Sequence, residues 1–234
     1  MNTACRVKSI TPFNDAVYQV ILMPEANIDF KAGQYLSVVM GEQDKRPFSI
    51  ACAPHSEHIE LHIGAAVAES YPMQVVEKLK QCLEENTSVD IEIPAGNAFL
   101  QNSNRKKLLI AGGTGFSYIK SIIEQLIHSG NTIETTFYWG CRNANAMYYF
   151  EEAEKWQQQH QWLTFIPVIE QADVNWAGKT ANLLEQVKQD YTDVADLDIY
   201  VAGRFDMAKV ARDMLRELNV NEAHLYGDAF AFIK

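Results

Sequence analysis

Residues 107–130 read KLLIAGGTGFSYIKSIIEQLIHSG: an unbroken apolar run that enters a glycine turn and leaves it as a helix. An apolar run with no polar alternation is what a strand covered on both faces requires, and the glycines stop it abruptly. From there to the end of the chain, strands and helices alternate. Further strands are expected at 132–140, 163–171 and 198–203, with helices at 116–130, 144–160, 179–191 and 204–218. This rhythm predicts a parallel sheet with helices on both faces, a fold that places ligands outside the carboxyl ends of its strands.

Upstream the rhythm changes. Short strands at 5–13, 16–24, 33–40, 46–54 and 59–65 are separated by turn residues, the spacing of a small antiparallel β-barrel. A helix over 71–85 follows, with Met73, Val76, Leu79 and Leu83 on one face, and then a strand at 89–94. The polar segment around 101–106 separates the two patterns. The reading is therefore a two-domain chain, an N-terminal antiparallel barrel over residues 1–103 and a C-terminal α/β parallel-sheet domain over 104–234.

Composition narrows the class. Hydrophobic residues make up 47% of the 234 residues and charged residues 21%, which fits a folded chain with a core. The net charge of −10 disfavours nucleic acid or an anionic membrane as the main partner. No segment approaches the roughly 20 apolar residues of a membrane span, and the first residues lack a signal-like apolar stretch, so a cytoplasmic location is expected. Cys5, Cys52, Cys82 and Cys141 are scattered, without metal spacing. They read as reduced thiols, and no metal site is expected.

The turn Ala111-Gly112-Gly113-Thr114-Gly115-Phe116 stands where backbone N–H groups and a helix N-terminus can hold a phosphate. Glycine there leaves room for close approach to the main chain. The same turn is also a common way of packing a helix against a sheet. It is neither a P-loop nor the G-x-G-x-x-G fingerprint. Glu134, about twenty residues on, is read as lying inside a strand and is not assigned to a ribose.

Several segments, taken in order, resemble the ferredoxin-NADP reductase superfamily and, within it, the bacterial NAD(P)H:flavin oxidoreductases, including the bioluminescence-associated branch. They are Arg46-Pro47-Phe48-Ser49, His62-Ile63-Gly64-Ala65, Gly112-Gly113-Thr114-Gly115, Gly140-Cys141-Arg142, Gly203-Arg204-Phe205-Asp206-Met207 and the terminal Gly227-Asp228-Ala229-Phe230. The resemblance spans the chain. It implies a flavin-binding barrel, an NAD(P)-binding α/β domain, and hydride transfer from NADH or NADPH to FMN, FAD or riboflavin held weakly as a substrate. Reduced flavin would pass to an acceptor such as a luciferase or another flavin-dependent monooxygenase.

Where many superfamily members have Cys-Gly-Pro-Pro, this chain has Ala202-Gly203-Arg204-Phe205, similar to the branch that releases its flavin. Position 141 departs from the Gly-Gly-Arg of close relatives, and the Cys141 side chain is expected to narrow the nicotinamide side of the pocket.

The resemblance also implies roles. Such chemistry needs the reacting atoms about 3 to 3.5 Å apart and few catalytic side chains. Ser49 is the expected catalytic residue, its hydroxyl beside flavin N5, and Arg46 is expected near the flavin side chain or phosphate. Pro47 and Phe48 would shape the wall, while the backbone at Ile63, Gly64 and Ala65 would meet the flavin's carbonyl and imide groups. His62 belongs to that segment without an acid–base role. Ala111, Gly112, Gly113, Thr114, Gly115, Phe116, Gly140, Cys141, Arg142, Gly203 and Arg204 would line the dinucleotide site, with Phe230 near the flavin. Two rivals stay open: a reductase component that retains FAD and feeds a separate iron–sulfur or haem protein, and a dinucleotide sensor without catalysis.

Overall fold

The computed structural model describes residues 1–233. Its contacts group into two units: Met1–Leu100 together with Lys120–Gln125, and Gln101–Ile119 together with Leu126 onward.

The first unit holds β1 (Asn2–Pro12), β2 (Val17–Pro24), β3 (Tyr35–Gly41), β4 (Asp44–Ser49), β5 (Ile59–Gly64), α1 (Tyr71–Glu85) and β6 (Ser88–Ala95). The six strands pair antiparallel in the order β4-β3-β6-β1-β2-β5. The sequence pattern carries one strand from 46 to 54, but β4 ends at Ser49. Beyond it the backbone turns from one edge of the sheet to the other: the Ile50 N–H donates to Gln34 O at 3.1 Å, and the Ala51 N–H donates to Glu60 O on β5 at 2.7 Å. The sheet thus closes on itself at the residues that follow Ser49, as a barrel requires.

Helix α1 matches the expected bounds. Ser70 caps it by accepting the Met73 N–H, and Asn86 ends it in the left-handed region. Its buried face is Val75, Val76, Leu79 and Cys82. Leu83, expected on that face, is 38% exposed, because the apolar stripe is rotated toward Val75.

The second unit holds β7 (Lys106–Gly112), both ends of α2 (Phe116–His128, whose residues 120–125 group with the first unit), β8 (Thr135–Cys141), α3 (Phe150–Gln159), β9 (Leu163–Ile169), β10 (Lys179–Thr180), α4 (Leu183–Asp190), β11 (Leu197–Ala202), α5 (Phe205–Glu217) and β12 (Leu225–Tyr226). The strands are parallel in the order β10-β9-β8-β7-β11-β12. Alternate strand residues serve opposite faces. Leu108, Ile110, Tyr138, Val168, Ile199 and Val201 pack with Leu184 and Val187 of α4 and Ala211 and Leu215 of α5. On the other face Phe137 and Trp139 meet Phe116, whose ring stacks on Trp139 at 4.1 Å between centroids and on Trp156 of α3 at 6.2 Å.

The second unit departs from the sequence pattern at three places. Residues 144–160 are not one helix. Asn143 accepts the Ala146 N–H at 3.0 Å and caps a separate 3-10 turn before α3 begins at Phe150. Residues 179–191 also divide, because Lys179–Thr180 pair with β9 and Asn182 caps α4 by accepting the Leu184 and Glu185 N–H groups. Glu134 precedes β8 instead of lying within it, and pairs with Lys106 at 2.6 Å. It stands at the amino end of the sheet, away from the ligand side.

Among the described residues no helix is long and apolar enough to cross a membrane. Adding a methyl at Gly115 tests the packing of this unit, since that methyl would overlap the Ala202 carbonyl at the end of β11, and backbone cannot move aside. Gly115→Ala is expected to lower the unfolding free energy by about 1–3 kcal/mol in urea titration. Gly113→Ala meets no clash and should cost about 1–2 kcal/mol, for its left-handed φ of 55° alone.

Candidate functional site

In the second unit the chain leaves β7 for α2 on one face of the sheet and leaves the neighbouring β11 for α5 on the other. That divergence at the carboxyl ends is a topological switch point, where open α/β sheets take ligands. Four glycines on its two sides do different work. Gly112 and Gly203 face each other closely enough that a methyl on Gly203 would lie 3.6 Å from Gly112 Cα, and the Met207 sulfur covers both. Gly115 is pressed against Ala202, so α2 starts tight against β11. Gly113 alone turns outward: its φ is 55°, and nothing lies within 4 Å of where a side chain would begin. Its carbonyl accepts the Trp139 indole N–H at 2.9 Å, and the Thr114 carbonyl accepts the Ser117 hydroxyl at 2.8 Å. No acidic residue occupies the first turn of α2. The Phe116 N–H that opens α2 is taken by the Gly113 and Thr114 carbonyls, so it is the open left-handed Gly113, at the amino end of a helix with no acidic first turn, that suits an anionic group such as a pyrophosphate.

The other expected residues of this unit fall into two sets. Arg142 and Arg204 are exposed, follow β8 and β11, and form no ion pair among the described residues. Ala111 and Phe116 are buried in the sheet and the aromatic stack, so their side chains serve packing. Gly140 has no room for a side chain beside Leu183. Phe230 leans on the unit's core from the turn Asp228–Ala231.

Cys141 lies at the end of β8. Its side chain is buried, its thiol donates to Ala146 O at 3.5 Å, and burial pushes that thiol up to about 12. The Asn143-capped turn folds over it.

In the first unit Arg46, Pro47, Phe48 and Ser49 lie along β4. The Ser49 hydroxyl is half-buried and makes no hydrogen bond among the described residues, so it is available to a ligand. Phe48 stacks on Tyr71 at 6.2 Å, and Pro47 is exposed. The Arg46 guanidinium is clamped. Its Nε and Nη2 donate to the two carboxylate oxygens of Asp44 at 2.8 and 2.6 Å, its Nη1 donates to Tyr71 O and Gln74 Oε1 at 3.0 and 2.9 Å, and it lies over the Tyr71 ring.

Residues 62–64 pair with β2, and β5 ends the sheet order, so the ladder leaves the other edge of these residues open. Ile63 and Ala65 are buried, and the Ala65 N–H donates to Ala16 O. The His62 imidazole is sealed from solvent, packed edge-on against Phe13 at 4.9 Å, and presents no atom to a ligand.

His62 belongs instead to a buried charged cluster that the sequence did not reveal. Glu60 sits at its centre. Glu60 Oε1 accepts from Gln19 Nε2 at 2.7 Å and from His62 Nε2 at 2.9 Å, while Oε2 pairs with the Lys120 ammonium at 2.8 Å. Lys120 also reaches Glu124 Oε1 at 2.6 Å and donates to Ala51 O at 3.2 Å. Glu124 Oε2 accepts the Ala53 N–H at 3.1 Å, and the Ser121 hydroxyl donates to Cys52 O at 2.7 Å.

Burial opposes the Glu60 charge, but His62 and Lys120 outweigh it and hold the carboxyl well below its usual range. Burial pushes His62 down as well, against the pull of Glu60. A neutral imidazole donating through Nε2 satisfies both. The cluster therefore fixes the backbone of 51–53, immediately after Ser49.

An antiparallel sheet unit followed by a parallel-sheet unit with an outward-facing glycine turn defines a ferredoxin-reductase-like fold. The fold is that of the ferredoxin reductase in carbazole 1,9a-dioxygenase, with a TM-score of 0.82 at 20% identity over 98% of this chain and 69% of that one. The family model for an oxidoreductase NAD-binding domain matches residues 109–213. The chain belongs to the NAD(P)H-flavin reductase family. It is 48% identical to the NAD(P)H-flavin reductase of Aliivibrio fischeri, over 98% of each chain, and 44% identical to that of Vibrio harveyi, over the full length of both.

Removing the ammonium from the buried cluster leaves two carboxylates facing each other without a counter-charge. Lys120→Met is expected to cost about 3–5 kcal/mol of unfolding free energy. The cluster also sets a pH dependence. His62 binds its proton less readily folded than unfolded, so just below neutrality the unfolded chain takes up more protons, and stability falls as pH drops from about 7 through the lowered folded value. Glu60, depressed in the folded state, adds a loss in the same direction below about pH 4.5. Urea unfolding at pH 7.5 and pH 6 checks the first window, where His62→Gln should flatten the slope.

Proposed function

We propose that this chain is a flavin reductase that uses NADH or NADPH to reduce FMN, FAD or riboflavin, each taken up as a substrate and released. The observation that supports it most directly is an uncommitted Ser49 hydroxyl, on a backbone braced by buried charges, in a chain matched end to end by proteins named NAD(P)H-flavin reductase. On this reading residues 1–103 form the flavin domain and residues 104–234 the NAD(P) domain.

The two heterocycles supply the chemistry, a hydride leaving nicotinamide C4 and arriving at flavin N5. The chain's own residues bind and orient. Ser49 donates a hydrogen bond at N5. Arg46, Pro47 and Phe48 border the flavin side chain, and the open edge at Ile63 and Gly64 takes the carbonyl and imide side. Gly113 and Thr114, at the amino end of α2, take the pyrophosphate, with Arg142 and Arg204 adding positive charge. The released product goes to a separate acceptor protein, a luciferase or another flavin-dependent monooxygenase.

The purified protein is expected to be colourless and to oxidise NADH or NADPH only when FMN or riboflavin is added. A yellow protein saturated with FAD that reduces haem or iron–sulfur acceptors without added flavin would replace this reading with a retained-flavin electron carrier. A colourless protein inactive with every flavin would indicate a sensor. Ser49→Ala is expected to lower kcat by about ten-fold or more while changing the flavin Kd much less. Unchanged turnover would remove Ser49 from the reaction.

A further inference from the structure

Every donor-bearing nitrogen of Arg46 already has an acceptor. Asp44 takes Nε and Nη2 in a two-point pair, and Tyr71 O with Gln74 Oε1 takes Nη1. Asp44 and Arg46 stand two residues apart on β4, hence on the same face of the strand. Asp44 is the more exposed partner, 48% against 12% for the arginine side chain. Lys78, whose ammonium donates to Val39 O at 3.1 Å, also acts on Asp44. The pairing holds the Asp44 carboxyl below its usual range and raises Arg46, so both stay charged at neutral pH. A guanidinium in this state is a scaffold for β4 and the start of α1, with its charge cancelled at the point where it stands.

We propose that Asp44 is a specificity-determining residue that makes the flavin site indifferent to the terminal phosphate. By neutralising Arg46 and occupying its free face, Asp44 denies a charge-assisted contact to the phosphate of FMN, so that riboflavin, which ends in a hydroxyl, is used as readily. The proposal rests on the reading above that Arg46 borders the flavin side chain. It adds a negative group that weakens one flavin relative to another, which is how a site with a cation at hand avoids selecting for phosphate.

The test measures kcat/KM for riboflavin and FMN, at saturating reduced nucleotide, in wild type, Asp44→Asn, Asp44→Ala, Arg46→Gln and the Asp44→Ala/Arg46→Gln double variant. Asp44→Asn keeps the shape of the β3–β4 turn should the alanine variant fold poorly. Wild type is expected to use the two flavins within about three-fold of each other. Removing the carboxylate charge should raise the FMN-to-riboflavin ratio about five-fold or more, through KM for FMN. That gain should shrink in about 0.5 M salt and vanish in the double variant.

An unchanged ratio in both Asp44 variants with riboflavin activity retained overturns the proposal, as does a wild type that already favours FMN by more than about ten-fold. If Arg46→Gln alters riboflavin KM while the Asp44 variants leave the ratio unmoved, the proposal fails and the placement of Arg46 stands. If Arg46→Gln leaves the KM of both flavins unmoved, Arg46 is remote from the flavin and both fail.

Discussion

A lysine ammonium with 2% of its side chain exposed has to be neutralised inside the first unit, and the chain arranges the backbone that follows Ser49 around that requirement. Taking an ammonium or a carboxylate out of water costs several kcal/mol per ion unless partners replace the lost hydration. Lys120 has three acceptors, one each from Glu60, Glu124 and Ala51. The partners are in turn satisfied, Glu60 by Gln19 and His62 and Glu124 by the Ala53 amide. Such a network does not tolerate partial assembly, because a missing member leaves a buried charge or polar group unpaired. Its backbone members fall at residues 51–53, so the chain emerging from Ser49 is held in one course.

The second unit solves its problem with absent side chains. Two adjacent parallel strands send their helices to opposite faces; a side chain at 115 would run into the Ala202 carbonyl, while one at 112 or 203 would meet the Met207 sulfur. Once those three are spent on packing, Gly113 is left to open the turn outward. The glycines thus divide their work: Gly115 packs the start of α2 against β11, Gly112 and Gly203 leave room for Met207, and Gly113 faces outward.

Much of this was legible in the chain itself. The switch from short alternating strands to an apolar run, glycine turn and helix located the two architectures, because each face of each element must be covered in a characteristic period. The placement of Arg142 and Arg204 after their strands also follows from the pattern, whereas Ser49 stands out only through the resemblance of Arg46–Ser49 to a flavin motif. The charged cluster was hidden for a physical reason. Lys120 and Glu124, four residues apart on a helix, look like an ordinary solvated pair, and Glu60 and His62, alternating along β5, look like its wet face. Only the packing of 120–125 within the first unit buries both sets together. The burial of Cys141 beneath the Asn143-capped turn was hidden too, because that turn is a local geometry that strand periodicity does not see.

The central claim is that buried charge pairing, and not the β-ladder alone, fixes the backbone that follows Ser49. Amide hydrogen exchange tests it most directly. The Ala51 and Ala53 amides, bonded to Glu60 O and to the Glu124 carboxylate, should exchange as slowly as the amides of the β2–β5 ladder, through the same global opening. Exchange at Ala51 and Ala53 orders of magnitude faster than in that ladder would show a loose segment and contradict the account.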